Sequence, residues 1–353
     1  MEEKNEKDNG ETISAYDLIK RLELMNRELD SINVETDDLD KNKLEYSNNI
    51  NQYSQNSIDS NKIQNQLKIC SKAYIISSFN DQQQTILLRH FLMDASKEDI
   101  ETIVKELLGT FRYIIKDKNG NYFCTDLFKK CEQNQRIMIL EELSPFLSED
   151  CVDNFATHPI QALIDRASTE LEYKLILYSF NDYNKLLYAS LEPNGVYTIQ
   201  KIIERIPDRY RNEFNYIFIS FVGFISKKYF GVVAVEKFIS CTKTDTVTSQ
   251  LMGIIRKNFM DFAEGQNSNY LIQYLLEKWN NTSEGNEIKE LIFNNFKTMC
   301  QNKYASFICE LYIKILTPEE KNKLIQSLDI NLIIKENNPH AIKIMKVLGI
   351  YSD

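Results

Sequence analysis

The sequence is short of residues that interrupt helices. Its 353 residues include six prolines and ten glycines, too few for the tight turns of an all-β sandwich, so long helices are favoured. There are three histidines, and Cys70, Cys124, Cys131, Cys151, Cys241, Cys300 and Cys309 show no C-x-x-C spacing. A structural zinc site needs clustered ligands, so no metal is expected. An odd, scattered cysteine set reads as reduced thiols of a cytosolic or nuclear protein. The longest apolar run, Tyr216 to Ser226, is far short of the ~20 residues that span a bilayer. The opening MEEKNEKDNG lacks the apolar stretch of a secretory signal. No phosphate loop, nucleophile elbow or HExxH motif occurs, so neither catalysis nor a cofactor is expected. The expectation is a soluble, intracellular, cytoplasmic protein without membrane contact.

Hydrophobic residues make up 43% of the chain, enough for a substantial interior. The length implies either two or three domains or one extended array. The net charge of −9 is uneven: residues 1–70 carry 15 acidic and 9 basic side chains, and the remainder carries only −3. Residues 1–70 read as an acidic, largely disordered region. Within it, 13–32 has helical spacing, with Leu18, Leu22, Leu24 and Met25 as an apolar stripe. Residues 33–65 are rich in Asn, Asp, Ser and Gln and read as a linker.

From about Ser71 the sequence repeats itself. Seven pentads align, starting at Thr85, Asn121, Thr157, Val196, Val232, Asn269 and Ser306, with separations of 36, 36, 39, 36, 37 and 37 residues. A near-constant period of this size marks a helical solenoid. The third, fourth, seventh and eighth residues of each unit are mostly apolar, as in Leu271, Ile272, Leu275 and Leu276, which makes one buried helix face. Six pentads follow a small residue: Gly120, Ala156, Gly195, Gly231, Ser268 and Ala305. Further amphipathic segments such as 136–143 and 251–262 lie between pentads, so each unit is a two- or three-helix motif. Such a unit cannot bury its face alone, and neighbours must stack. Pro159 lies inside a pentad, which requires it to sit in a first helical turn.

The pattern leaves the first, second and fifth pentad residues off the buried face. The first and fifth are one turn apart and point the same way, so stacking predicts a ladder of pairs along one surface. Here the chain resembles the Pumilio (PUF) family. Residues 265–277, GQNSNYLIQYLLE, are similar to its sixth repeat, 303–310, KYASFICE, to its seventh, 117–122, DKNGNY, to its second, and 81–83, DQQ, to the opening of its first. The resemblance covers 71–353. It implies an all-α solenoid of about eight three-helix repeats in a curved superhelix, with an eighth unit in a degraded tail after Pro318.

The resemblance also implies an RNA-binding site that reads one base per repeat. The first and fifth residues would touch the base edge and the second would stack. Glu310 with Ser306 would suit guanine, because a carboxylate only accepts hydrogen bonds. Asn269 with Gln273 would suit uracil, and Tyr270 and Phe307 would supply stacking faces. Thr157 and Gln161 with His158 suit adenine, and Val196 and Gln200 with Tyr197 keep partial capacity. Asn121 and Thr125 with Tyr122 form half of a pair. Val232, Val233 and Glu236, and Thr85 with Arg89, depart from the family pattern. Arg89 could meet a phosphate or a neighbouring carboxylate.

The partner so implied is single-stranded RNA with UGU-like or GU-containing elements of 3′-untranslated segments, bound by a monomer in post-transcriptional repression or decay. Decay or repression proteins would dock on the convex face. Two alternatives stand beside this. One is a degenerate helical scaffold for proteins, whose triplets would be tied up in side-chain pairs. The other is a nucleolar ribosome-assembly relative with little base preference. With the repeats nearly neutral in net charge, affinity should rest on stacking and hydrogen bonds, aided by Lys201/Arg205, Lys227/Lys228 and Lys237.

Overall fold

The computed structural model describes residues 68–242 and 245–351. The helix expected over 13–32 and the linker over 33–65 lie outside the described residues. Within them the chain is helical, and no strand occurs among the described residues. Every pentad lies in a helix: Gln82–Asp94, Gly120–Lys130, Thr157–Arg166, Pro193–Arg205, Tyr229–Cys241, Ser268–Lys278 and Ala305–Ile315. These helices pack on one another in chain order, each on the next, and the last packs on Pro339–Leu348. The solenoid expected from the period is what the structure shows.

A typical unit has three helices. A short one leads (Phe111–Ile114, Leu147–Asp150, Phe259–Ala263), the pentad helix follows, and a longer outer helix closes it (Gln133–Leu143, Glu170–Tyr178, Ser283–Met299). The third, fourth, seventh and eighth pentad residues are buried in six of the seven units, from Phe123, Cys124, Leu127 and Phe128 to Ile308, Cys309, Tyr312 and Ile313. Fully burying each Val, Leu, Ile or Phe among them contributes about 1.5–3 kcal/mol. Rings lock neighbouring elements, with Phe111 5.6 Å from Phe128 and Phe218 4.7 Å from Phe238. Unit one departs from the expectation, because Leu87, its third residue, is exposed. This unit heads the described row, so only one other pentad helix packs against it.

The small residue before the pentad has a direct cause. A Cβ on Gly195 would stand 2.3 Å from the Ala189 carbonyl oxygen, and one on Gly231 2.0 Å from that of Ile225. The pentad helix starts against the end of its own short helix, closer than a side chain allows there. Pro159 occupies the first turn of Thr157–Arg166, where its missing N–H leaves no ladder bond unmade.

The eighth unit is legible from capping. Asp117, Asp153 and Asn302 each accept, through Oδ1, two backbone N–H groups two and three residues on, and Asn338 does the same for His340 and Ala341. In the first three cases the pentad begins four residues later. The eighth pentad is therefore Ile342-Lys343-Ile344-Met345-Lys346, 36 residues after Ser306. Ile344, Met345 and Leu348 are buried, as this register requires. Units are also stitched by asparagine amides: Asn119 donates to the Phe79 carbonyl (2.8 Å), Asn194 to Val152 (3.2 Å), Asn267 to Lys227 (3.0 Å) and Asn338 to Gln301 (2.9 Å).

Candidate functional site

The first pentad residues are not where the sequence pattern put them. Thr85, Asn121, Thr157, Val196, Val232, Asn269 and Ser306 are all buried, with 1–3% of their surface exposed. The reason is local hydrogen bonding. Asn269 Nδ2 donates to the Gly265 and Gln266 carbonyls at 2.8 Å each, and Asn121 Nδ2 to Asp117 and Lys118 at 2.9 and 2.8 Å. Ser306 Oγ donates to Lys303 (2.9 Å), and Thr85 Oγ1 to Ser78 and Asp81 (3.0 Å each). Thr157 Oγ1 reaches the Asn194 carbonyl of the next unit at 3.3 Å. A buried polar group must be paired, and these side chains, Thr157 apart, satisfy carbonyls of the turn entering the helix. Val196 and Val232 fill the same place with apolar volume.

The fifth residues are half-buried except Gln273, which is buried with 7% of its surface exposed, and two are held by the first. Gln273 Nε2 donates to Asn269 Oδ1 (2.8 Å) and Gln161 Nε2 to Thr157 Oγ1 (2.9 Å). A glutamine amide has two donors and one acceptor oxygen, so each keeps an acceptor and a donor for a further partner. Gln200 is half-buried. Thr125 bonds back to the Asn121 carbonyl (2.8 Å). Glu236 is half-buried, and burial, reinforced by the charge of Glu277, pushes its carboxyl pKa up to about 8. At neutral pH it holds its proton and both donates and accepts, as a glutamine does.

Among the second residues, Tyr122 and His158 are exposed, Tyr197, Tyr270 and Phe307 are half-buried, and Val233 is buried. Val233 thus offers no face. Rings and amides recur side by side along the row at units three, four and six, as His158 and Gln161, Tyr197 and Gln200, and Tyr270 and Gln273. The two ends are different. Arg89 Nε lies 2.6 Å from Asp126 Oδ2 with the guanidinium 5.4 Å from the centre of the Tyr122 ring, so Arg89 meets a carboxylate. Lys343 Nζ lies 2.5 Å from Glu310 Oε1 and 5.7 Å from the centre of the Phe307 ring.

No protein-family model matches the chain. Pumilio homolog 11 of Arabidopsis thaliana is 24% identical over 254 residues, which are 70% of this chain and 44% of that protein. A Pumilio domain-containing protein of Schizosaccharomyces pombe is 23% identical over 257 residues, 72% of this chain and 37% of that one. The chain thus spans less than half the length of these relatives. Two solved structures share the fold: the RNA-binding domain of yeast Puf5p bound to SMX2 RNA (TM-score 0.65, 18% identity, covering 78% of this chain and 82% of that one) and PUF-8 in complex with PBE-RNA (0.67, 16%, 80% and 83%). The chain carries a Pumilio-type repeat fold.

On this PUF-type row, two aromatic residues escaped the pentad pattern. Burial raises the pKa of the Tyr197 and Tyr270 phenols, and Tyr229 raises both further, so Tyr229 stands within electrostatic reach of units four and six. Tyr304 acts likewise on Tyr270. Tyr229 lies three residues before Val232, in the unit whose Val233 supplies no ring. The signal in the sequence was an aromatic just upstream of a pentad lacking one. The basic clusters are largely neutralised. Lys201 and Arg205 both pair with Asp165 (3.1 and 2.7 Å), and Lys237 pairs with Glu204 (3.2 Å). Lys227 and Lys228 are exposed. Among the described residues no helix is long and apolar enough to cross a membrane.

Proposed function

We propose that the chain binds single-stranded RNA with sequence selectivity along the row of pentad helices. The observation that carries this is the recurrence of a ring beside a hydrogen-bonding fifth residue at a near-constant period, on the fold that Puf5p and PUF-8 present to their RNAs. Glu310 with Ser306 reads guanine and Gln273 with Asn269 reads the following uracil, giving a 5′-GU-3′ step within a UGU-like element. Because the first residues are buried, selectivity comes mainly from the fifth, which the first orients in units three and six. Thr157, His158 and Gln161, and Val196, Tyr197 and Gln200, extend the site. Asn121, Tyr122 and Thr125, Val232, Val233 and Glu236, and Thr85 with Arg89 contribute shape more than base contacts.

In this reading residues 71–353 form the repeat domain and 1–70 a separate acidic region. The protein acts as a cytoplasmic monomer in post-transcriptional repression or decay, recruiting effectors on the outer helices, and has no catalytic role. The test compares binding of short RNAs containing UGU with scrambled controls. Equal affinity would sink sequence selectivity. Exchanging Glu310→Gln together with Ser306→Asn should move the preference at that base from guanine towards uracil.

A further inference from the structure

Lys343 stands in unit eight at the position where units six and seven carry Tyr270 and Phe307. Its ammonium lies 2.5 Å from Glu310 Oε1 and 5.7 Å from the Phe307 ring centre. The pair is unequal in exposure, 19% for the Glu310 side chain and 57% for that of Lys343. Glu310 Oε1 is buried and accepts no hydrogen bond of good geometry, so the ammonium is what offsets its charge. One cation therefore covers both groups assigned above to a single base, the carboxylate at its edge and the ring at its face.

Resting on the RNA reading above, we propose that Lys343 is a specificity-determining residue that competes with guanine for the site of unit seven. Guanine offers a ring N–H and an amino group side by side, and a carboxylate accepts both only with its two oxygens free. An ammonium is itself a cluster of three donors and satisfies the same carboxylate. Uracil offers a single N–H and adenine a single amino group, so both gain less than guanine from a freed carboxylate, while clearing the Phe307 face favours every base alike. Lys343 thus selectively weakens the binding of guanine and flattens the preference that Ser306 and Glu310 would otherwise show. The effect is moderate, about two- to fivefold, because a partly exposed lysine holds its partner weakly. Arg89 at the other end differs, since its partner Asp126 is not a fifth pentad residue.

The experiment measures dissociation constants of the full chain for short RNAs carrying UGU or UUU in this register. Lys343→Met keeps the apolar stem and removes the charge, and it should raise the guanine-over-uracil preference by about two- to fivefold. In a Glu310→Gln background the same substitution should leave the preference unchanged. If Lys343→Met weakens both RNAs alike, Lys343 is a phosphate contact and the proposal falls. An unchanged preference in the native background overturns it equally. If no variant binds either RNA, the RNA-binding reading itself fails and takes the competitor with it.

Discussion

The middle of the row and its two ends use the same scaffold in opposite ways. In units three, four and six the ring of the pentad stands beside a neutral amide, as with Tyr270 and Gln273. At the ends the ring already carries a cation that also pairs with a carboxylate, Arg89 over Tyr122 and Lys343 over Phe307. A cation on a ring face is attractive by itself, so a base arriving at an end must displace it, whereas one arriving in the middle need not. The helices beneath are alike in both regions. Repeat geometry therefore supplies the slot, and the occupant of the slot supplies the difference.

The same contrast appears between outer helices and gives the largest expected effects. Arg136 Nε and Glu172 Oε1 form a buried pair at 2.7 Å joining units two and three, with Arg136 also donating to the Cys131 carbonyl (2.9 Å). Lys97 and Glu132 join units one and two through an exposed pair. Removing one partner of a buried pair strands the other charge, so Arg136→Ala should cost about 3–5 kcal/mol in urea denaturation. Lys97→Met should leave the midpoint within scatter. Comparable losses from both would break the distinction. Burial alone would raise the Glu172 pKa, but hydrogen bonds from Arg136, the Ser168 N–H and the Thr169 hydroxyl outweigh it and hold the carboxyl below its ordinary 4.5. Its contribution is therefore present above 4.5 and is lost as pH falls through the lower folded value. Arg136→Ala should flatten the acid side of the stability profile.

Packing sharpens the comparison next. Ile272→Ala in unit six removes a fully buried side chain and should cost about 2–5 kcal/mol. Leu87→Ala in unit one, at an exposed position, should stay within about 0.5 kcal/mol. For RNA, Tyr270→Ala should weaken binding by about 1–3 kcal/mol, the value of one stacked base. Tyr122→Ala should cost clearly less, because Arg89 already lies on that ring. Equal losses measured by fluorescence anisotropy would show the end slots to be as open as the middle ones.

A contrast in pH rather than in size appears at Glu236. Its folded pKa of about 8 lies above the ordinary 4.5, so the folded chain holds this proton more tightly than the unfolded one. The associated stability is whole below 4.5 and is lost as pH rises through about 8. Glu236→Gln cannot titrate, so its melting temperature relative to the native protein should rise between about pH 5 and about pH 9. A difference that stays constant over this interval would show that Glu236 is already ionised at neutral pH.

Much of this architecture was readable in the residues. The seven pentads became seven helices, and Phe123, Cys124, Leu127 and Phe128 with their counterparts became the core. The eighth pentad was hidden because Ile342 and Lys343 share no residue type with the others, and only the Asn338 cap revealed its register. The site was less readable. Helical spacing put Asn269 and Asn121 on an accessible face, yet both spend their amides on carbonyls of the incoming turn.

The sequence by itself determined that the chain is a stack of helical units, because a helix apolar on one face has to find a neighbour and the period names that neighbour. Tertiary structure alone decided which polar groups remain available. Whether Glu310 faces a base or Lys343, and whether Arg89 meets a phosphate or Asp126, depends on distances between units. Spacing along the chain carries the turn of a helix, but not the few ångströms that separate one helix from the next.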